Sequence, residues 1–468
     1  MSETASAPVA LEELSRRNFL HPFTSINDHQ QHGPTVMTRG DGIYVWDNQG
    51  KQYLDALAGL WCVNVGYGRE EIAQAVAQQV RDLTFYQAFL GMATEPAIRL
   101  ASEVADLTPG DCNRIFFGNS GSDANDTAIK LIWYYNNLLG RPRKKKLLAR
   151  RGAYHGVTVA SGSLTGLPPV HQHFDLPVND RFIHLDRPHY YWEAGEGMSE
   201  LDFTQHLARN LEETIAREGA DTIAAFFGEP MLGAGGVVPP PEGYWETIVP
   251  ILREHDILIV ADEVICGFGR LGSWFGCEHF GYQPDIMSLA KGLTSGYVPM
   301  SANAISDKMW AVLQEGSAEV GPFAHGYTYS AHPVAAAAGL ANLAIMKRED
   351  LVGNAARRGP YLQERLRAVA ADHPLVGQVR GLGFVAGVEV VEDKAHKKPF
   401  DPKRKMGGRL AAAMRAEGLI VRSIVNTCVI SPPLTLTDSD IDEICVRFER
   451  GLHRLTQELA QAGEWHAG

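Results

Sequence analysis

The chain contains few cysteines, and they form no recognisable pattern. Its six cysteines are scattered over 468 residues, and no C-x-x-C pair occurs among them. This spacing argues against the disulfide framework of a small secreted domain and against a zinc knuckle, so a reducing compartment is expected. A chain of this length needs no such cross-links, because it can bury a large apolar core.

Long apolar runs are also missing. The most apolar helical stretch, Val334 to Met346, is rich in alanine, is interrupted by Asn342 and is too short to span a bilayer. Residues 1–18 lack a basic segment followed by an apolar one, so no secretory signal is expected. These features predict a cytoplasmic protein that does not associate with membranes.

Positive charge is in short supply. Lys and Arg together number 43 and Asp and Glu 55, which gives a formal net charge of −12 at pH 7. Nonspecific nucleic-acid binding needs clustered cations and is therefore not expected. The basic run Arg141 to Lys146 predicts a solvated surface turn. His171 and His173 have no cysteine or acidic residue at a suitable spacing, so no metal site is predicted.

The middle of the chain, from Arg114 to about Ser301, alternates short apolar runs with longer helical stretches. This alternation predicts βαβ units and a mostly parallel sheet. At roughly 100–200 residues per domain, the length corresponds to two or three domains, or to one large domain with a satellite. Strands are predicted at 114–117, 223–227 and 257–260, and helices at 201–216 and 244–255.

At both ends of the chain the pattern of predicted helices and strands differs from that of the middle. The first twenty residues are polar and are expected to be mobile, and short strands within 36–53 precede a helix at 70–83. Beyond Arg357 the pattern predicts a separate α+β domain. Its expected elements are a helix at 361–371, a glycine-rich strand pair within 379–391, a helix at 408–417, a strand at 419–421 and a final amphipathic helix from Asp438.

The first segment that could carry chemistry is Asn119 to Asp123, which follows a predicted strand and opens a helix. Ser120 and Asp123 have the spacing of a capping box, so an ordinary helix start is one interpretation. The other is an anion site, because free N–H groups at a helix start attract negative charge and Gly121 allows close approach. Its position after a buried strand, where ligands of α/β folds dock, favours the second.

Asp262 and Glu263 stand at the carboxyl end of the predicted strand 257–260. A carboxylate at this position often faces a ligand, although a helix N-cap in the next loop is an alternative. A glycine-rich loop, 266–270, follows and is of the kind that borders a ligand.

Lys291 ends a short apolar run and precedes a glycine. A surface lysine is the simpler interpretation. A lysine at the mouth of a core segment, however, loses solvation, which lowers the pKa of its amine and makes it a nucleophile toward carbonyls.

Three features together indicate one kind of cofactor site: an anion cradle, an aspartate at a strand end and a lysine at a strand end. Pyridoxal phosphate requires a cup for its phosphate, an acid beside its ring nitrogen and a lysine for covalent attachment. On several segments in the same order, the chain resembles the class III, fold-type-I aminotransferases, and among them the ω-transaminases of the amine–pyruvate type. These segments are HPFT (21–24), GLWCVNVGYGR (59–69), SGSDANDTAIK (120–130), YHG (154–156), GEP (228–230), ADEVICGFGR (261–270), SLAKGLTSGY (288–297) and HGYTYSAHP (325–333).

The resemblance implies an α/β fold with two domains. A large domain with a central, mostly parallel sheet would bind the cofactor, and a smaller α+β domain would be formed from both chain ends. The expected boundaries are 1–68 and 334–468 for the small domain and 69–333 for the large one. The resemblance also implies a homodimer with shared active sites, and a homotetramer built from two such dimers is the alternative.

The same resemblance assigns the cofactor site residue by residue. It implies that Lys291 binds pyridoxal phosphate covalently and that Asp262 pairs with the pyridinium nitrogen. Tyr154 would stack on one face of the ring and Val264 on the other. The remaining cofactor-binding residues are Gly121 and Ser122 at the phosphate, His155, Glu229 near the ring hydroxyl group, and Thr328 toward the phosphate of the neighbouring subunit.

For the substrate, the resemblance points to Arg422 as a clamp for the carboxylate of a keto acid, a task that suits the two parallel donors of a guanidinium. Trp61, Phe23 and Phe89 resemble the aromatic walls of the substrate pocket, with Phe89 contributed across the dimer. One departure stands out. Ala331 occupies a position where related sequences usually have glycine, close to the expected phosphate site.

These assignments predict a transaminase that moves an amino group from a primary amine to an α-keto acid, with pyruvate expected, by a ping-pong mechanism. An aryl-alkyl amine, a diamine or an ω-amino acid would serve as donor. A racemase, decarboxylase or aminomutase on the same scaffold remains the alternative, and Arg422 favours transamination over it. No G-x-G-x-x-G opens a helix after the first strand, which argues against a nicotinamide-dependent oxidoreductase. The presence of both Asp262 and Lys291 argues against a noncatalytic binding protein.

Overall fold

The computed structural model describes residues 10–177 and 180–465. Three β-sheets are found in these ranges, and helices pack around them. The strands are β1 Met37–Asp41, β2 Tyr44–Asp47, β3 Gln52–Asp55, β4 Cys112–Gly118, β5 Lys146–Arg150, β6 Phe182–Leu185, β7 Ile223–Gly228, β8 Leu258–Asp262, β9 Ile286–Leu289, β10 Ser301–Ser306, β11 Val376–Leu382, β12 Val385–Val390, β13 Leu419–Ile420, β14 Arg422–Ile424 and β15 Thr427–Ile430.

The helices are named in the same way. They are α1 Leu11–Asn18, α2 Ile26–His32, α3 Ala58–Trp61, α4 Glu70–Leu83, α5 Glu95–Leu107, α6 Gly121–Leu138, α7 Val159–Leu164, α8 Pro168–His171, α9 Tyr190–Glu193, α10 Glu200–Glu218, α11 Tyr244–Glu254, α12 Gly276–His279, α13 Asp307–Val320, α14 Pro333–Arg348, α15 Leu351–Ala370, α16 Met406–Ala416 and α17 Asp438–Gln461.

The central sheet has the strand order β4-β10-β9-β8-β7-β5-β6. Neighbouring strands from β9 to β6 are parallel, whereas β10 runs antiparallel to both β4 and β9. Every residue of β7, β8 and β9 is buried, because helices cover both faces of the sheet. The prediction of a mostly parallel α/β sheet is therefore confirmed.

Helix α6 illustrates how the sequence builds these layers. Its buried face includes the apolar residues Ala124, Ala128, Leu131, Ile132 and Tyr135, which recur at helical spacing. The capping box predicted for Ser120 and Asp123 is present, so the helix begins directly after β4. The start of α6 is thereby fixed at one edge of the sheet.

Strands from the two chain ends meet in one small sheet, ordered β1-β2-β3-β13. Strand β13 pairs parallel to β3, with Leu419 opposite Leu54. A third sheet, β11-β12-β15-β14, is antiparallel and belongs entirely to the C-terminal part of the chain. Helix α14, which begins at Pro333, packs against α4 and α5. The domain boundaries given above stay a prediction.

One expectation about local structure was wrong, and another stays a prediction. The first nine residues of the expected mobile segment lie outside the described residues. Within the remainder, Leu11–Asn18 forms a helix with acidic residues in its first turn and basic residues in its last, and the mobility of this segment stays a prediction. The helix expected at 361–371 begins at Leu351 and contains Pro360. Its true start is fixed by Asp350, whose side chain accepts a hydrogen bond from Gly353 N.

Two further features concern membranes and metals. Among the helices of the described ranges, none is long and apolar enough to cross a bilayer. In the same ranges, no three His, Cys, Asp or Glu side chains are grouped as metal ligands would be. The His171 ring bonds to the carbonyl oxygen of Gly162 at 2.9 Å. The cytoplasmic location stays a prediction.

Ala331 is held in a strained conformation. Its φ angle is +58°, in the left-handed region that favours glycine, within the loop that joins α13 to α14. The sequence thus has alanine where the backbone would accommodate glycine more easily.

We predict that Ala331→Gly raises the free energy of unfolding by about 0.5–1 kcal/mol, because relief of the left-handed strain exceeds the entropic cost of glycine. Urea unfolding of the purified protein measures the change. Ala337→Gly within α14 is the matched control and should lower stability by about 1 kcal/mol. A loss of stability in both variants would contradict the strain at residue 331.

Candidate active site

A cavity of about 320 Å³ opens at the carboxyl ends of β7, β8 and β9. Parallel strands end at the same edge of a sheet, and ligands of α/β folds bind there. The cavity also touches the start of α6, which follows β4. Its lining includes eight of the predicted site residues: Gly121, Ser122, Tyr154, His155, Glu229, Asp262, Val264 and Lys291.

Asp262 is the last residue of β8 and is almost completely buried. Its Oδ2 accepts a hydrogen bond from His155 Nδ1 at 2.8 Å and another from Asn125 Nδ2 at 2.7 Å. Its Oδ1 accepts one from Val264 N at 3.2 Å. These donors satisfy acceptor positions of a carboxyl group that water cannot reach.

Glu229 follows β7 and is also buried. Its Oε1 accepts a hydrogen bond from Tyr154 N at 3.0 Å, and its Oε2 accepts one from Gly233 N at 2.8 Å. Burial raises the pKa of Glu229 above its ordinary value. The carboxyl group also holds the backbone of Tyr154 in place beside the cavity.

Lys291 follows β9 and faces the same cavity. Its φ angle is +41°, a value that residues other than glycine seldom adopt. The residues that do adopt such values cluster at functional sites. Burial lowers the pKa of the Lys291 amine, an effect that the charges of Cys62 and Asp262 oppose. The desolvated amine expected from the sequence is therefore present.

The start of α6 forms the opposite end of the cavity. A side chain at Gly121 would bring its Cβ to 3.0 Å from Val264, so the glycine keeps this space open. Ser122 Oγ accepts a hydrogen bond from Val157 N at 3.1 Å. At Gly156, φ is +130° and a Cβ would lie 2.8 Å from the Cα of Ser122. The small residues here leave a helix N-terminus accessible to an anion.

Arg422 lies close to the cavity without lining it. It begins β14, and its charge interacts with those of Tyr154 and Lys291. Burial lowers the pKa of its guanidinium. Trp61 is only 2% exposed and packs in an apolar cluster with Ile265, a residue that lines the cavity.

Three predicted residues are exposed on the single chain. Phe23 is 72% exposed and Phe89 is 42% exposed, and Thr328 is exposed as well. None of the three lines the cavity described above. Phe89 approaches Gly326, so the segments that carry Phe89 and Thr328 are neighbours.

Asn125 was not predicted from the sequence, and Glu263 does not face the cavity as Asp262 beside it does. Asn125 lies on the buried face of α6 and donates to Asp262; a polar residue among the apolar positions of that face was the available signal. Glu263 is fully buried but turns away from the cavity. It accepts hydrogen bonds from Gly276 N and Cys277 N, and burial raises its pKa to about 7. Its contacts hold the loop that follows β8.

Comparison with known proteins places this geometry in a family. The profile of the family described as Aminotransferase class-III matches residues 25–452. The chain belongs to the class III aminotransferases. A diaminobutyrate–2-oxoglutarate transaminase from Halomonas elongata is 48% identical over 459 residues, which cover 97% of this chain and 98% of that protein. A putrescine–pyruvate aminotransferase from Pseudomonas aeruginosa is 45% identical over 434 residues, covering 92% of this chain and 93% of that protein.

Solved structures agree with this assignment. The crystal structure of the omega transaminase from Pseudomonas jessenii in complex with PMP has a TM-score of 0.94 and 44% sequence identity. The match covers 97% of this chain and 99% of that chain. The expected family, fold and enzyme class are confirmed, and the cofactor of this class III aminotransferase is pyridoxal phosphate.

The residues around the cavity fit this cofactor. A buried carboxylate suits a protonated ring nitrogen, a desolvated lysine suits an aldehyde, and an uncrowded helix start suits a phosphate. These groups are distributed over one cavity, with Asp262 at the end of β8, Lys291 just after the adjacent strand β9, and Gly121 at the far end. The roles of the individual residues stay predictions.

We predict that Lys291→Met stabilises the cofactor-free aminotransferase at neutral pH. The pKa of Lys291 is lower in the folded than in the unfolded chain, so the unfolded chain binds more protons and stability rises with pH between the two values. The stability gained by removing the Lys291 charge should therefore be largest below the pKa that Lys291 has in the folded chain. It should vanish above about pH 10.5, the ordinary pKa of lysine. Thermal unfolding between pH 6 and 10.5 measures it.

Lys403→Met is the control for this experiment, because Lys403 is exposed. Its effect should be the same at every pH in the series. A Lys291→Met profile that is equally flat would contradict the desolvation of Lys291.

Proposed function

We propose that this class III aminotransferase moves an amino group from a primary amine to an α-keto acid, with pyruvate as the acceptor, in a ping-pong reaction. The observation that carries the proposal is the combination of a desolvated Lys291 and a buried Asp262 in one cavity, with the half-buried Arg422 beside it. In this proposal Lys291 and Asp262 bind the cofactor, and Arg422 binds the carboxylate of the keto acid.

The protein side chains would orient the cofactor. Pyridoxal phosphate supplies an electron-withdrawing ring that stabilises negative charge on the carbon next to the transferred nitrogen. Asp262 keeps the ring nitrogen protonated, Tyr154 and Val264 enclose the two ring faces, and Gly121 with Ser122 binds the phosphate. His155 supports Asp262 through the 2.8 Å hydrogen bond described above, and Glu229 lies on the ring hydroxyl side.

Lys291 would also move the proton on which the reaction depends. Its Nζ takes the proton from the amine-bearing carbon of the donor as a general base and later returns a proton as a general acid. The lowered pKa of Lys291 increases the fraction of neutral amine at physiological pH, and only that form acts as a base.

Arg422 is the proposed clamp for the keto acid. Among the hydrogen bonds and ion pairs within residues 10–177 and 180–465, Arg422 has no acidic partner, so its donors are free for a substrate carboxylate. Trp61, Phe23 and Phe89 would form the apolar walls of the substrate pocket. An aryl-alkyl amine, a diamine or an ω-amino acid fits this arrangement as donor.

The similarity to a putrescine–pyruvate aminotransferase supports a diamine donor and pyruvate as acceptor. A diaminobutyrate–2-oxoglutarate transaminase is about equally similar, so 2-oxoglutarate is the acceptor to test beside pyruvate. Racemisation or decarboxylation on the same scaffold is the competing activity, and the unpaired Arg422 favours transamination.

We predict that candidate amines, added singly without a keto acid, convert the absorbance of the bound cofactor from its aldehyde to its amine form. Pyruvate should then restore the original spectrum, because the two half-reactions share one cofactor. A spectrum that no amine changes would contradict transamination and favour the racemase or decarboxylase. Equal recovery with 2-oxoglutarate would contradict the specific assignment of pyruvate.

Two variants assign the steps of that experiment. Lys291→Ala should lose both conversions while its circular dichroism stays unchanged, because the proton carrier is gone. Arg422→Ala should keep the conversion by an amine without a carboxylate and lose about 10- to 100-fold in recovery by pyruvate. If the Lys291→Ala variant still converts the bound cofactor to its amine form when no amine base is added to replace the lysine, the role of Lys291 is refuted.

We also propose that the enzyme is a homodimer with shared active sites. Large apolar side chains are exposed around the segments that carry Phe89 and Thr328, among them Leu90, which is 96% exposed. Leu90 and Phe89 line an open cavity with a volume of about 710 Å³, together with Phe323 and Ala331. Such surfaces mark interfaces, and a second copy would bring Phe89 and Thr328 to a neighbouring cavity.

We predict a mass in solution of at least about twice the 51.2 kDa of one chain, measured by light scattering. Leu90→Arg should weaken the assembly by about 10-fold or more, because it buries a charge. Val446→Arg on the exposed face of α17 is the matched control. Equal masses for the two variants at every concentration would exclude this surface from the interface.

A further inference from the structure

Asn125 is a buried polar residue whose purpose the roles above do not explain. It lies on α6, is 1% exposed and lines the cavity. Its Nδ2 donates to the His155 carbonyl oxygen and to Asp262 Oδ2, each at 2.7 Å. Both partners are acceptors, so the NH₂ group must face them and the amide cannot be turned around.

The amide oxygen of Asn125 gains nothing from this arrangement. It is buried and, within the described ranges, has no hydrogen-bond partner. An unpaired buried acceptor destabilises a fold, so the amide oxygen offsets part of what the two hydrogen bonds of Nδ2 contribute. The contribution of Asn125 is thus confined to the two acceptors that its Nδ2 contacts, the His155 carbonyl oxygen and Asp262 Oδ2.

The hydrogen bonds to Asp262 are distributed unequally between its two oxygens. Oδ2 receives two side-chain donors, Asn125 Nδ2 and His155 Nδ1, which use both of its lone pairs. Among the residues of 10–177 and 180–465, Oδ1 receives only the longer bond from Val264 N, at 3.2 Å. One lone pair of Oδ1 is thus the free acceptor of this carboxylate.

We propose that Asn125 is a positioning residue for the cofactor, fixing the rotation of the Asp262 carboxylate so that Oδ1 meets the ring nitrogen. With Asn125 removed, Oδ2 regains a lone pair and the carboxylate can turn about its Cβ–Cγ bond. Its interaction with the nitrogen then weakens even though Asp262 itself is unchanged. This inference rests on the proposed pairing of Asp262 with that nitrogen.

The test compares pyridoxal phosphate with an analogue in which C–H replaces the ring nitrogen. The full-length protein is titrated with each compound, and the ratio of the two dissociation constants gives its preference for the nitrogen. Asn125→Ala should reduce this preference about 10-fold or more, as expected for a disturbed hydrogen bond to a charged group. The reduction should come from weaker binding of pyridoxal phosphate and not of the analogue.

Asn136→Ala is the matched control. Asn136 lies on the same helix, is 1% exposed and donates from its side chain to a backbone carbonyl, that of Ile132. This variant should leave the preference unchanged. If the alanine variant does not fold, Asn125→Leu gives the same test, because leucine fills a similar space without a hydrogen-bond donor. Its preference for pyridoxal phosphate over the analogue should fall by the same factor.

The outcomes separate this inference from the proposed function. Equal weakening of both compounds by Asn125→Ala or Asn125→Leu, or no weakening, would overturn the positioning role. Asp262→Asn is the reference that should reduce the preference most. An unchanged preference in Asp262→Asn would instead refute the pairing of Asp262 with the nitrogen, whatever the Asn125 variants do.

Discussion

The parallel pairing of β7, β8 and β9 is the constraint on which the site depends. Because these strands end at one edge, three ionisable residues that are far apart in the sequence, Glu229, Asp262 and Lys291, line a single cavity. Their burial creates the chemistry, since it lowers the pKa of the lysine and raises that of Glu229.

Much of this arrangement was predictable from the sequence. Uniformly apolar runs mark buried parallel strands, and the polar residue that ends such a run must lie at the ligand edge, so Asp262 and Lys291 could be located without a structure. The capping box at Ser120 likewise predicted the start of α6, since its donors and acceptors are local in sequence. Features of this kind depend on neighbours along the chain.

Other features depend on contacts that the sequence does not reveal. Asn125 bonds to an aspartate 137 positions away, so its partner was invisible to periodicity alone. Glu263 follows Asp262 directly, yet alternation of side chains at the strand end directs it to the loop and not to the cavity. The helix expected at 361–371 starts ten residues earlier, at Leu351, after the cap at Asp350. Resemblance supplied the roles of exposed residues such as Phe89 and Thr328, which local patterns could not.

The antiparallel strand β10 has a consequence for biosynthesis. It lies between β4 and β9, with Ser301 opposite Gly118 and Ala302 opposite Leu289. It is therefore the only described strand that connects the Gly121 end of the cavity to the Lys291 end through the sheet. Because β10 is the last of the sheet's seven strands along the chain, the order of synthesis leaves β4 without its sheet neighbour until residues 301–306 follow. The two ends of the cavity can be joined through the sheet only after that segment has been made.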